Sequence, residues 1–122
     1  MSDILKNYKS LLSVFSIFLL TNLVFADPTD GCEMDTNTLF LTSTGDVFYN
    51  SSDAIGGFQF NVDGATVTAT SGGDAAAAGF TVQGAGSTVL GFSFTGSSVP
   101  AGCGTLTSLA LDGSATGLSS IV

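Results

Sequence analysis

The sequence predicts an all-β fold of antiparallel strands joined by tight turns. Three observations carry that reading. Apolar and polar residues alternate over short runs, most clearly in Phe58-Gln59-Phe60-Asn61-Val62, which puts Phe58, Phe60 and Val62 on one face of a strand. All 16 glycines lie after residue 26, and turn formers recur between the apolar runs at intervals of about 8–12 residues. The 122 residues allow one small domain rather than two.

Taken in chain order, residues 1–26 read as a secretory signal-peptide helix. A polar start carries Lys6 and Lys9, Leu11 to Phe25 is mostly apolar, and Val24-Phe25-Ala26 offers small residues at positions −3 and −1 of a cut. The apolar stretch is interrupted by Ser13, Ser16, Thr21 and Asn22, and falls short of the roughly 20 residues that a membrane anchor needs. Cys32 is preceded by Thr29-Asp30-Gly31, which is not a lipoprotein signal. Residues 27–36 read as an acidic linker, and 37–122 as the folded domain. In an oxidising compartment an even pair of cysteines in a small domain predicts a disulfide, Cys32–Cys103. Closing a loop of roughly 70 residues is worth about 4 kcal/mol. A reactive thiol would need a neighbouring cation or base, and no such side chain follows residue 26.

Within the domain, Leu39-Phe40-Leu41 and Val47-Phe48-Tyr49 flank the turn residues Ser43 to Asp46. Phe58 to Val62, Asp63-Gly64 and the β-branched run Ala65 to Thr70 make the best hairpin signal. Asp74 to Gly79 reads as one helical turn, with Asp74 as N-cap, Gly79 just past its end, and its alanines and Phe80 packed on the core. Phe80-Thr81-Val82 and Thr88 to Phe94 are further strands. Leu106 to Leu111 is another, ended by Asp112-Gly113. The echo between Gly57-Phe58-Gln59-Phe60 and Gly91-Phe92-Ser93-Phe94 reads as two strands, each sending two phenylalanines into one core. Ile121-Val122 opens what looks like a new strand, so the chain is expected to be a fragment of a longer reading frame.

The charge pattern excludes whole classes of chemistry. The chain has two Lys, no Arg, no His and ten acids, for a net charge of −8, and after residue 26 nine acids face no side-chain cation. Nothing there neutralises phosphate, so nucleic acid and anionic lipid are not expected partners. A serine or threonine nucleophile needs a base that this segment lacks, so no catalytic residue is assigned. Asp46, Asp53, Asp63, Asp74 and Asp112 are available for a hydrolytic pair, yet each sits among turn formers, where Asp serves the backbone. No phosphate-binding loop with its lysine is present. Calcium is the one metal worth weighing, at Asp27, Asp30, Glu33 and Asp35. These lack the order of a calcium loop and fit a solvated tail equally well, so no metal or cofactor is assigned. For glycans there is no Trp, and Tyr49 is the sole Tyr after residue 26. The uniform negative charge suits a soluble exported domain in saline water.

From Ile55 onward the chain resembles the cohesin-like β-sandwich domains of bacterial exported proteins. The resemblance lies in Ile55-Gly56-Gly57-Phe58-Gln59-Phe60-Asn61-Val62, a Gly/Ala-rich crossover ending at Gly79-Phe80, Val89-Leu90-Gly91-Phe92-Ser93-Phe94, and Val99-Pro100-Ala101-Gly102-Cys103-Gly104-Thr105-Leu106-Thr107-Ser108-Leu109. It covers about 60 residues. Departures are the immediate Asp63-Gly64, the Cys at 103 and a shortened end. The resemblance implies a nine-stranded jelly-roll or Ig-like sandwich used for non-catalytic recognition at the cell surface or outside the cell. A protein or glycan partner is expected, with a carbohydrate-binding module as the alternative. No contact residue carries over.

Overall fold

The computed structural model describes residues 27–122, and the signal peptide predicted over 1–26 lies outside the described residues. Of the described residues 56% are strand and 8% helical, which makes the fold all-β. The strands are β1 (Thr38–Leu41), β2 (Asp46–Ser51), β3 (Phe58–Ser71), β4 (Thr81–Ala85), β5 (Thr88–Phe92) and β6 (Gly102–Ser119), with a short helix α1 (Gly73–Ala77) between β3 and β4. They form one hydrogen-bonded sheet in the order β1-β2-β6-β3-β5-β4, and every neighbouring pair is antiparallel.

The alternation read in Phe58 to Val62 is what the structure uses: Phe58, Phe60 and Val62 are buried, while Gln59 is exposed. Phe58 stacks on both Phe60 and Phe80 at 6.1 Å between ring centroids, and Val67, Val89, Val99, Leu106, Leu109 and Leu118 complete the main core. The β1–β2 hairpin forms around Thr42 to Gly45 as expected. A second small cluster, Met34 with Phe40 and Phe48, packs beside it.

Two expected strand breaks, the hairpin turn at Asp63-Gly64 and the strand end at Asp112-Gly113, are absent, and the described residues form six strands. Asp63-Gly64 does not reverse the chain; Phe58 to Val62 and Ala65 to Thr70 fuse into the single strand β3. Asp112-Gly113 likewise lies inside β6, which runs on through Leu118. The two Asp-Gly pairs face one another: Asp63 pairs with Gly117 and Ala65 with Gly113, with a register shift between them. Gly64 and Gly113 take φ of 88° and 111°, a region that L side chains rarely occupy, and they spend that freedom on a bulge instead of a turn. Ile121-Val122 opens no new strand either; Val122 exchanges backbone hydrogen bonds with Gln59 at 2.9 and 3.2 Å, extending the ladder beside β3.

The bulge bows β3, and the β4–β5 turn sits astride the bow. The Ser87 and Gly86 carbonyls accept from the Val62 and Val67 amides, each at 2.7 Å, and Thr70 Oγ1 donates to the Val82 carbonyl at 2.8 Å. The sheet thereby curls, bringing β4 over the far half of β3. Helix α1 closes the open side, with Ala75 fully buried and Phe80 behind it. Its N-cap is Gly72 rather than Asp74, and no side chain caps it.

The acidic segment 27–36 is tied to the sheet at Gly31 to Met34. Cys32 and Cys103 form the expected disulfide, with Cα atoms 5.0 Å apart. Gly31–Glu33 form a 3-10 turn, Met34 is buried, and Asn50 Nδ2 donates to the Met34 carbonyl at 2.9 Å.

Candidate functional site

Three places on this scaffold have the geometry of a site. The first is an apolar face. Gly91 and Val89 of β5 point inward, so Leu90 and Phe92 point outward. The parity is set by Phe58: its ring lies where a Cβ on Gly91 would stand, and the two residues are cross-strand partners. Leu90 in turn pairs with Gln59, and Gln59 bonds Val122 on its other side, so Val122, Gln59 and Leu90 form one outward row. Phe94 follows β5 in a loop closed by Ser93, whose Oγ accepts from the Thr95 and Ser97 amides at 3.2 and 3.0 Å. Its ring packs edge-to-face on Phe92 at 4.9 Å and is 81% exposed. The expectation that Phe92 and Phe94 both enter the core is therefore corrected. Among the described residues the exposed large hydrophobics are Leu90, Phe94, Ile121 and Val122, gathered around this one region.

The second place is a groove of about 540 Å³ between the β1–β2 turn and the far half of β6. Its floor is apolar, formed by Leu41, Leu109, Leu111 and Ala115, and its rim carries the hydroxyls of Thr42, Ser43, Thr44 and Ser114. The third is a hollow of about 440 Å³ beside the disulfide, lined by Tyr49, Asp74, Ala77, Ala78, Pro100 and Cys103 among others. There Tyr49 Oη donates to Asp74 Oδ2 at 2.6 Å. Burial of the ring, with the Asp74 carboxylate accepting its proton and repelling a phenolate, pushes the Tyr49 hydroxyl up to about 12. At 3% exposure Tyr49 is a buried strut and offers no face for a glycan to stack on.

Of the five Asp residues weighed for chemistry, three are tied into the fold by hydrogen bonds. Asp46 accepts from Ser108 Oγ at 2.7 Å, Asp63 from Ser119 Oγ at 2.7 Å, and Asp74 from Tyr49, so these three serve separate parts of the fold. In the acidic segment, Asp30 accepts from the Cys32 amide, and Glu33 accepts from the Thr29 amide and hydroxyl, which holds its carboxyl below the usual range. Among the described residues no group of three or more His, Cys, Asp or Glu side chains is placed to hold a metal ion, and no helix is long and apolar enough to cross a membrane.

Sequence reasoning found the disulfide but missed the outward Phe94, the groove and the burial of Tyr49. Gly91 held the signal for the first, because a glycine opposite a core phenylalanine fixes which side of β5 faces in. Compared with known proteins, the chain matches no family model, no curated protein and no solved structure.

Proposed function

We propose that the protein is an exported, non-catalytic recognition module of cohesin-like type, binding a protein partner at the cell surface or outside the cell. The observation that carries this reading is the apolar face around Leu90, Phe92 and Phe94 on a surface otherwise rich in hydroxyls and carboxylates. Clustered exposed apolar groups on a small soluble domain mark a place of association, and aromatic anchors supply most of the energy at such places. The disulfide agrees with an oxidising compartment. The sandwich reading belongs to the same proposal: the curled sheet packs its two halves around one core, in the manner of a sandwich whose long strands β3 and β6 serve both layers.

A carbohydrate-binding role is the second reading, and Phe94 favours it, because a bare ring flanked by the hydroxyls of Ser93 and Thr95 can stack on a sugar. One experiment separates the two. The purified domain is tested for binding to intact cells, to the same cells after protease treatment, and to a glycan array. Protein recognition predicts cell binding that protease abolishes and that Phe94→Ser weakens at least tenfold with the fold intact. Glycan binding lost in Phe94→Ser would establish the second reading, and binding unaffected by Phe94→Ser would overturn both.

A further inference from the structure

We propose that the groove beside β6 receives an extended, lysine- or arginine-bearing peptide strand, which adds to the sheet at the uncovered edge of Leu109–Gly113. The argument begins with unequal strand lengths. β6 has 18 residues and β2 only 6, and their pairing ends at Asp46 opposite Ser108. One more bond, from the Leu109 amide to the Gly45 carbonyl at 2.8 Å, closes that ladder. Beyond it β6 is paired on its β3 side alone.

The direction of the free groups follows from their neighbours. Thr66 and Thr68 hydroxyls reach the Asp112 and Ala110 carbonyls across the β3 side. Backbone groups alternate along a strand, so those of Leu111 and Gly113 turn the other way, as the Leu109 amide does, toward the groove. An open strand edge is a template for another strand.

This edge differs from the outer edges of β1 and β4. It is the flank of an interior strand, and its floor is core: Leu41 and Leu109 are buried, while Leu111 and Ala115 pack against them. A strand lying there has main-chain partners on one side and an apolar floor beneath every second side chain.

Charge selects the occupant. Asp46 stands at one end of the edge, Asp112 within it, and Asp63 across β6 at Gly117. No side-chain cation follows residue 26. A second copy would bring nine more acids against these, whereas a peptide with flanking cations meets opposite charge. This site is separate from the aromatic face and rests on a different observation.

The test uses the disulfide-bonded protein and a synthetic peptide of alternating Val and Thr with two lysines at each end. The expected result is binding that protects the Leu111 and Gly113 amides from hydrogen exchange and weakens as salt rises. Leu111→Pro, which removes a groove-facing amide while leaving the β3 ladder alone, is expected to weaken binding at least tenfold. Asp112→Lys, on an exposed side chain, is expected to weaken it several-fold, and Phe94→Ser to leave it unchanged. A glutamate-flanked peptide is expected not to bind. The proposal is overturned if the lysine peptide protects neither amide at millimolar concentration, or protects β1 or β4 instead. It is equally overturned if both variants bind as the parent does, or if the same amides become protected by self-association of the protein.

Discussion

At the scale of single residues, the buried tyrosine makes the sharpest claim. A hydroxyl whose acidity is lowered by folding stabilises the native state only while it stays protonated. Its contribution is whole below about pH 10, the ordinary tyrosine value, and is lost as pH rises through about 12. Alkaline titration of residues 27–122, in which Tyr49 is the sole tyrosine, is expected to show phenolate absorbance appearing near 12, with unfolding stability falling as the pH approaches that value. Tyr49→Phe should remove that part of the pH dependence. A midpoint near 10 would show that the Asp74 contact does not persist in solution. The sequence marked Tyr49 as isolated among its kind but not as buried, since burial comes from Asp74 arriving on α1, 25 positions away. Phe94 is the converse case. Alternation alone places Phe92 and Phe94 on one face without saying which face, and the ring of Phe58 on Gly91 decides it.

At the scale of elements, the two Asp-Gly pairs show why strand boundaries were harder to read than strand existence. The same dipeptide suits a two-residue hairpin and a bulge, because both need positive φ. What separates the outcomes is whether a partner strand continues past the glycine. Here the partner strand runs on past each glycine and the two approach closely: a Cβ on Gly64 would meet the Ser114 carbonyl at 2.6 Å, and one on Gly113 would meet the Gly64 carbonyl at 3.1 Å. Gly64→Val is therefore expected to cost more than about 1 kcal/mol, from forbidden backbone and collision together, read as a lower denaturant midpoint. It should also loosen the turn at Gly86 and Ser87, seen as faster exchange of the Val62 and Val67 amides. The β1–β2 hairpin was legible because its turn residues are followed at once by a strand that has no other partner on that side.

At the scale of the whole molecule, the all-β class and the covalent bridge were both readable, for they follow from composition and from the parity of the cysteines. The curl of the sheet was not, because it arises from bonds between β3 and a turn 19 to 25 residues further on. The bridge joins an acidic segment with little core of its own to the first residues of β6. Replacing both Cys32 and Cys103 with serine is expected to lower stability by about 4 kcal/mol. The far-UV circular-dichroism signature of the sheet should be kept at low denaturant. Loss of the sheet altogether would mean that the bridge is required for folding and does not merely restrain the unfolded chain.

The central position of β6 has a consequence for how the protein is made. β6 separates the β1–β2 hairpin from the β3–β5–β4 group, yet it is the sixth strand to leave the ribosome. Until it arrives, the earlier strands hold two unjoined pieces and no closed core. Such a chain resists premature collapse into its native form, and closure of the sheet waits for its last and longest strand.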